Sequence, residues 1–339
     1  MRAAVDVMGG DKAPEAILQG CWDAAPLLGA EDVVYLVGDE AAIVKGLDSS
    51  KLPPDQRERY RTVPTTEVVA MDDPPVEAIR NKPNSSIAVM CKMASKGEAD
   101  VVISAGNTGA CVAAAQLRMR TLPGVLRPGI AVILPTFHGP VVICDVGANI
   151  APKPRHLMQY AIMGAAYAHD VCGIEDPRVG LLSIGEEDSK GTTIVKEARE
   201  LMRDEPQINF FGNVEGRDLF RGIVDVVVCD GFVGNIVLKF TEGLAEGLFQ
   251  TIMAELEDAD SGLIEQFKPV MKRIYQKHDW QEYGGAPLLG VGGYCLICHG
   301  RSDSRAIKNA IRVGKQLAAS GINEMVVQEI AASIPGGED

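Results

Sequence analysis

The sequence predicts an α/β fold, a three-layer and mainly parallel sheet with helices on both faces. Two observations lead to this prediction. Short apolar runs rich in β-branched residues alternate with stretches of helical spacing along the 339 residues, and this order is typical of parallel sheets. The runs are apolar throughout, as expected of strands that are covered on both faces.

Eight segments are predicted as strands of this sheet. They are Ala3–Val7, Val33–Val37, Val101–Ser104, Ile130–Leu134, Val141–Asp145, Val179–Ile184, Val224–Cys229 and Tyr294–Cys298. Helices are predicted between many of them, at Ile87–Lys96, Ala110–Met119, Leu157–Ala168 and Ile194–Met202. The segment Pro135–Pro140 joins two strands directly, so we expect one antiparallel hairpin within the sheet.

Two segments depart from the alternation of strands and helices. Residues 47–60 are polar and contain Pro53-Pro54, and we expect an exposed loop there. Helical spacing dominates residues 244–278, so residues 242–280 are expected to form a helical excursion, a dimer or membrane face, from a single α/β domain of residues 1–334. Residues 335–339 are expected to fray.

Composition excludes several classes of protein. The chain has 33 basic and 46 acidic residues, a net charge of -13, which argues against a nucleic-acid partner. No apolar run reaches the roughly 18 residues of a membrane-spanning helix, and the first residues lack the pattern of a signal peptide. The eight cysteines lie mostly in apolar settings, as reduced and buried thiols do. These features favour the cytosol.

Five predicted strands run directly into turns that combine glycine with Asn, Asp or Lys. Ligands of open parallel sheets bind beyond the carboxyl ends of the strands. Glycine lets the backbone approach a ligand closely, and the start of a following helix attracts anions. We therefore expect the turns to form one pocket for a phosphate-like anion. They span residues 8–11, 105–109, 146–149, 185–191 and 230–235.

Several specific motifs are absent. The chain has no Walker G-x-x-x-x-G-K-[ST], no Rossmann G-x-G-x-x-G and no G-x-S-x-G nucleophile turn. Residues 295–299 spell the C-x-x-C-H pattern of haem attachment, but they lie in an apolar strand and no export signal precedes them. A zinc site would need a second ligand pair, which the sequence does not offer. No metal, cofactor or covalent nucleophile is therefore predicted.

Nine segments, which extend in order over nearly the whole chain, match a known family. They are Asp6–Pro14, Ser104–Gly109, Asp145–Asn149, Ser183–Gly191, Gly212–Asp218, Asp230–Lys239, Gly285–Val291, His299–Ser302 and Ala306–Ala310. Through them the chain resembles the acyl-acyl carrier protein:phosphate acyltransferases, or PlsX family, of bacterial phospholipid synthesis. Cys295 and Cys298, between two of these segments, are not features associated with the family.

The resemblance implies a fold similar to isocitrate and isopropylmalate dehydrogenases and to phosphotransacetylases. It also implies a homodimer that converts acyl-[acyl carrier protein] and inorganic phosphate into acyl phosphate and free carrier protein, with no cofactor. Because phosphate itself attacks the thioester, no covalent enzyme intermediate is expected. Two alternatives stay open: a short-chain phosphotransacetylase using coenzyme A, and a non-catalytic scaffold or ligand sensor at a membrane surface. A metal-dependent dehydrogenase is disfavoured, because the sequence shows no helix with paired Asp residues for a divalent cation.

Site residues follow from the turns and the resemblance together. Lys190 and Asn235 are the predicted catalytic residues, one holding phosphate and the other supporting the oxyanion. A further set of residues is expected to form the substrate-binding site. They are Gly10, Asp11, Gly106, Asn107, Asp145, Asn149, Asp230, Gly234 and His299. The aspartates are expected to orient donors rather than to act as bases.

Acyl carrier protein is acidic, so an acidic enzyme needs a local basic patch to bind it. Arg80 and Lys82 form one candidate patch. Lys268, Lys272 and Arg273, on the polar side of the last excursion helix, form another. The second group also suits an amphipathic helix lying on an anionic membrane. The sequence leaves open whether this helix meets the carrier protein, a membrane or a second subunit.

Overall fold

The computed structural model describes residues 1–257, 261–278 and 284–333. The tail predicted to fray, 335–339, lies outside the described residues. Within them, one sheet of eleven strands forms the centre of the fold. The strands are β1 Arg2–Asp6, β2 Val33–Gly38, β3 Tyr60–Pro64, β4 Val101–Ser104, β5 Gly129–Thr136, β6 Gly139–Cys144, β7 Val179–Leu182, β8 Phe210–Val214, β9 Val226–Val228, β10 Ala286–Leu289 and β11 Tyr294–Ile297.

Helices cover both faces of the sheet, which makes three layers. They are α1 Glu15–Asp23, α2 Glu40–Ser49, α3 Pro54–Arg57, α4 Pro75–Asn81, α5 Ser86–Ser95, α6 Thr108–Ala114, α7 Pro154–Cys172, α8 Thr193–Arg203, α9 Gly231–Glu257, α10 Ser261–His278, α11 Ser304–Ala319 and α12 Ile322–Ser333. Helices α1, α2, α7, α8, α11 and α12 bury apolar residues against one face. Helices α4, α5, α6 and α9 pack on the other.

Two parallel half-sheets run in opposite directions within this sheet. The strand order is β3-β2-β1-β4-β11-β10-β5-β6-β9-β7-β8. Strands β3, β2, β1, β4 and β11 are parallel to one another, as are β6, β9, β7 and β8. Strands β10 and β5 join the halves through three antiparallel pairings. The hairpin predicted at Pro135–Pro140 is confirmed as the β5–β6 connection.

The carboxyl ends of both half-sheets meet at one level in the middle of the sheet. Following the pairings across the strands, the residues at this level are Ile103, Leu296, Pro287, Ala131, Cys144, Val228 and Leu181. Strands β4 and β11 reach it from one side, and β6, β9 and β7 reach it from the other. Turns that follow opposite-running strands are therefore brought together at mid-sheet, instead of lining one edge.

All eight predicted strands are present, but three strands were not predicted. Strand β3 reads Tyr-Arg-Thr-Val-Pro and lies at the edge of the sheet, where one side of a strand can stay polar. Strand β8 is the opposite edge and contains Gly212-Asn213. Strand β10 contains Pro287, which normally argues against an inner strand. The predicted loop at residues 47–60 includes the end of α2 and the short helix α3.

The helical excursion starts earlier than the sequence pattern indicates. Helix α9 begins at Gly231, directly after β9, and runs to Glu257. Helix α10 follows from Ser261 to His278 and contains Pro269. The helix that leads away from the sheet thus has its first turns at the level where the strand ends meet. Among the described helices, none combines the length and the apolarity that crossing a bilayer requires.

Candidate active site

A cavity of about 150 Å³ lies under the first turns of α9. Its floor is the sheet where β5, β10 and β11 meet, and α9 forms its roof. It lies at the junction of the two half-sheets and so receives turns from both. The described residues that line it are Thr108, Ile130, Val132, Ile133, Val146, Asn235, Leu238, Lys239, Glu242, Gly285, Ala286, Ile297, Cys298 and His299.

The turns after β1, β4 and β11 approach the cavity from one half-sheet. Gly10 has a φ of 109°, a conformation that glycine adopts without strain. The main-chain N–H of Asp11 donates to the carbonyl of Gly300, 2.8 Å away, which ties the first turn to the one that carries His299. Gly106 is buried, and its N–H donates to Ser104 Oγ. Gly10, Asp11 and Gly106 thus form the framework beside the cavity and do not line it.

Asn107 is engaged in holding its own turn. Its Oδ1 accepts from the N–H of Ala110 and so caps α6. Its Nδ2 donates to main-chain carbonyls of the 70–73 segment, at 3.0 Å from Asp73 O and 3.1 Å from Met71 O. The side chain is 7% exposed. The amide therefore fixes the position of Thr108, which does line the cavity.

Asp145 and Asn149 organise the turn after β6. The buried carboxylate of Asp145 accepts from the N–H groups of Ile130, Gly147, Ala148 and Asn149, at 2.7 to 3.1 Å. Burial raises the pKa of this carboxyl group, and the four hydrogen bonds oppose that rise. Asn149 in turn donates from Nδ2 to Pro128 O and to the hydroxyl of Tyr160, 2.7 Å from each.

The turn after β9 delivers Asn235. Asp230 Oδ1 accepts from the N–H of Val233, 2.8 Å away, and so caps the start of α9. Gly234 is buried and its N–H donates to Asp230 O. Asn235 follows on the next residue, is exposed, and lines the cavity. Asp230 and Gly234 thus position the helix turn that carries Asn235.

His299 lines the cavity from the end of β11. Its Nδ1 accepts from the N–H of Arg301, 3.1 Å away, so in the neutral ring the proton is on Nε2. Burial lowers the pKa of His299, and the nearby charge of Lys239 lowers it further. Glu242 and Asp11 oppose this shift. The imidazole is therefore neutral at neutral pH.

Lys190 belongs to a turn that does not line the cavity. It follows β7, whose end lies two strands from the end of β6, a separation of about 10 Å. The Lys190 N–H donates to Glu187 O, and the stem of its side chain lies beside Gly185. Within the described part of the chain, its ammonium group makes no ion pair. The structure thus brings Asn235 and the turn of Asn107 to one cavity and leaves Lys190 outside it.

The two predicted basic patches differ in how their charges are used. Lys82 Nζ lies 2.5 Å from Asp73 Oδ2 and 3.0 Å from Val68 O, so its charge is largely neutralised. Arg80 is exposed on α4. The side chains of Lys268, Lys272 and Arg273 are all exposed on α10. Three of the five predicted cations are therefore exposed on one helix.

Several cavity residues were not predicted. On α9, Leu238, Lys239 and Glu242 line the cavity together with Asn235. Their spacing from Asn235 is three, four and seven residues, which places all four on one face of a helix. This helical spacing can be read from the sequence. It identifies a site only when the structure shows that this face of α9 covers a cavity. Among the described residues, no group of His, Cys, Asp or Glu is placed as metal ligands would be.

Comparison with known proteins identifies the family. The model of the family described as "Fatty acid synthesis protein" matches residues 1–325. The chain belongs to this family. A protein named phosphate acyltransferase from Nitratidesulfovibrio vulgaris is 45% identical to it over 335 residues, which are 97% of this chain and 95% of the relative. A second protein of that name, from Heliobacterium modesticaldum, is 45% identical over 338 residues, which are 99% of this chain and 98% of the relative.

Solved structures support the predicted architecture. A phosphotransacetylase from Streptococcus pyogenes superposes with a TM-score of 0.62 at 17% identity, covering 94% of each chain. A 4-hydroxythreonine-4-phosphate dehydrogenase from Klebsiella pneumoniae superposes with a TM-score of 0.53 at 14% identity, covering 94% of this chain and 98% of the other. At these identities the likeness concerns the fold alone, and it agrees with the expected relation of the family to transacetylases and dehydrogenases.

Proposed function

We propose that this chain transfers an acyl group from acyl carrier protein to inorganic phosphate. A phosphate oxygen attacks the thioester carbonyl carbon, a C–O bond forms, the C–S bond breaks, and the carrier leaves as a thiol after taking up a proton. The products are acyl phosphate and free carrier protein. The family's phosphate acyltransferases, at 45% identity over nearly the whole chain, support the reaction class.

One observation carries the proposal. The lining of a single cavity combines polar donors with hydrocarbon: Thr108, Asn235, Lys239 and His299 face the same space as Ile130, Val132 and Leu238. A thioester whose acyl chain is apolar needs both kinds of lining. Holding it beside phosphate removes much of the entropic barrier, roughly 7–11 kcal/mol in favourable cases.

The assignments of Asn235 and Lys190 are part of this proposal. The Asn235 amide is placed to donate to the oxygen that gains charge in the transition state, and such a donor contributes about 3–4 kcal/mol. Lys190 lies outside the lining but has a long side chain and no ion pair within the described residues, so we assign it to capture of phosphate. Neutral His299 would donate from Nε2 rather than act as a cation.

The proposed partners include a second copy of this chain. Helix α9 exposes an apolar row, with residues four apart at Phe232, Ile236, Phe240, Leu244, Leu248 and Ile252. Phe240 is 68% exposed, and apolar surface of this extent is usually covered by a partner. Light scattering should give the mass of a dimer for the wild type and of a monomer for Phe240→Asp. An unchanged mass would place the subunit contact elsewhere.

Contact with a membrane is the other proposed use of the excursion. Lys268, Lys272 and Arg273 would meet anionic headgroups. Sedimentation with vesicles of neutral lipid alone and with added anionic lipid tests this. Equal recovery in both would remove the membrane from the proposal without affecting the reaction.

The reaction itself is tested by release of thiol. Purified enzyme is given hexadecanoyl-acyl carrier protein or acetyl-coenzyme A, each with and without phosphate, and free thiol is measured. We expect release from the carrier substrate only when phosphate is present. Equal activity on acetyl-coenzyme A would indicate a short-chain phosphotransacetylase, and no release from either would indicate a non-catalytic protein.

A further inference from the structure

Much of the lining of the cavity is apolar. Its hydrocarbon side chains come from the sheet floor, from the turn after β6 and from α9, and Cys298 lies beside them. Burial raises the pKa of the Cys298 thiol to about 12, so the thiol is neutral at neutral pH. The apolar side chains are Ile130, Val132, Ile133, Val146, Leu238, Ala286 and Ile297.

This lining favours an occupant that is partly apolar. Phosphate alone, or an acetyl group alone, would leave most of the apolar surface in contact with water, which is unfavourable. A linear hydrocarbon attached to a reacting carbonyl covers that surface and leaves the carbonyl at Thr108 and Asn235. We propose that the apolar part of the cavity binds the carbons of the acyl chain nearest the thioester. The inference rests on the proposed acyl transfer and assigns the residues that set chain-length selectivity.

The volume limits how many carbons are held. A cavity of similar volume, about 150 Å³, is known to take a molecule of benzene, so roughly six carbons is the upper limit for the part of the chain that fits. Carbons beyond these leave through the open side. Each buried methylene should raise kcat/KM about four-fold. Selectivity should therefore be steep up to about six carbons and nearly flat for longer chains.

Ala286 is the position at which the space can be reduced. It lies at the start of β10, pairs with Ile297, and lines the cavity with a single methyl group. Ala286→Leu adds three carbons to the lining. The range of chain lengths over which kcat/KM rises steeply should therefore end about three carbons earlier. For chains longer than six carbons, kcat/KM should fall on the order of 60-fold, and shorter chains should lose less.

Val132→Ala is the opposite change, because it removes two methyl groups from the floor. It should extend the steep range by about two carbons. Ala318→Leu is the matched control, since Ala318 is also partly buried but lies on α11, at the other face of the sheet. That variant should keep the wild-type chain-length profile.

The experiment measures phosphate-dependent thiol release on carrier protein charged with acyl groups of 2 to 16 carbons, a series chosen to bracket about six. Stable Ala286→Leu and Val132→Ala enzymes with the wild-type profile would overturn the pocket assignment and leave the proposed reaction intact. If no wild-type acyl group reacts, the proposed function fails. Calorimetry with n-alkyl phosphates then tests the pocket by itself: affinity must rise with chain length to about six carbons.

Calorimetry also keeps the proposal testable if the Ala286→Leu variant fails to fold. If Ala286→Leu does not fold, the Val132→Ala enzyme must still bind alkyl phosphates with a longer steep range than the wild type. Affinity that is independent of chain length in the wild type would overturn the inference.

Discussion

Gly234 packs directly on the main-chain carbonyl of Asp145, and a Cβ at position 234 would overlap that oxygen. The same Cβ would lie 2.9 Å from the sulfur of Cys229. The contact joins the first turn of α9 to the turn after β6. It therefore fixes the roof of the cavity, which carries Asn235, to the turn whose Val146 lines the same cavity.

Gly234→Ala should destabilise the protein severely, because the carbonyl belongs to a buried backbone that cannot move aside. The expected loss of unfolding free energy is about 3 kcal/mol or more, at or above the upper end of what overpacking a core typically costs. Chemical denaturation of wild type and variant measures it. Gly243→Ala is the control on the same helix, where a Cβ meets nothing within 4 Å, and it should stabilise by up to about 1 kcal/mol. Equal effects of the two substitutions would contradict the close contact.

Asn107 should act through the structure of its turn. Asn107→Asp keeps the oxygen that caps α6 but loses the amide that donates to the carbonyls of Met71 and Asp73. Asn107→Ala loses both. Because a cap contributes about 0.5–2 kcal/mol and each unsatisfied buried group costs about 1–3 kcal/mol, both should lower the unfolding free energy, the alanine variant more. Similar wild-type stability in both, with activity lost, would mean that Asn107 contacts substrate directly.

The sequence predicted the strands of the interior better than the way they meet. Apolar runs such as Val101–Ser104 identify buried strands because burial on both faces leaves no polar position. The antiparallel pairing of β5 with β6 was predicted from their direct connection. The reversal of direction at β10 was not predictable, since Pro287 hides this strand and the pairing register is a long-range property. The turns of Asn235 and Asn107 were predicted to share a pocket on the assumption of one sheet edge. They share it because two half-sheets end at the same level.

The sequence likewise indicates some residues of the site, whereas the role of others is seen only in the structure. Glycine-containing turns indicate Asn235, but equally Asp145 and Asn149, whose polar atoms hold the backbone. His299 was predicted instead from the resemblance, as a strand-end histidine in a matching segment. A sequence pattern does not distinguish a polar group that faces a ligand from one that faces a main-chain N–H. Lys239 and Glu242 lie on the same helix face as Asn235, yet a paired charge at that spacing is typical of ordinary surface helices.

His299 should make stability depend on pH below about 6.5. Its folded-state pKa is lower than the value of about 6.5 in unfolded chains, because of burial and the charge of Lys239. As the pH falls below 6.5, the unfolded state takes up a proton before the folded state does. The unfolding free energy must then decrease, by at most about 1.4 kcal/mol per pH unit. Above pH 6.5 this contribution is constant.

The measurement compares wild type with His299→Gln by urea denaturation from about pH 5 to 8, a range that brackets this value. The unfolding free energy of the wild type minus that of the variant should be constant above pH 6.5. Below pH 6.5 the wild type should become less stable relative to the glutamine variant. A difference that shifts toward the wild type as the pH falls would mean that the folded-state pKa is raised, which would contradict the burial of the ring.

Asn235 and Lys190 should fail in different kinetic parameters. Removing a donor that acts only in the transition state lowers kcat about 10²–10³-fold and leaves the KM for phosphate nearly unchanged, which is our expectation for Asn235→Ala. Lys190→Met should instead raise the KM for phosphate, because the cation lies outside the cavity and contributes to capture. Asn209→Ala, on an exposed asparagine hydrogen-bonded to Asp176, is the control for loss of an amide.

The two roles belong to other residues if Lys190→Met and Asn235→Ala both fold and keep near-wild-type kinetics. Thr108 and His299 are then the next donors to test, because they line the same cavity as Asn235.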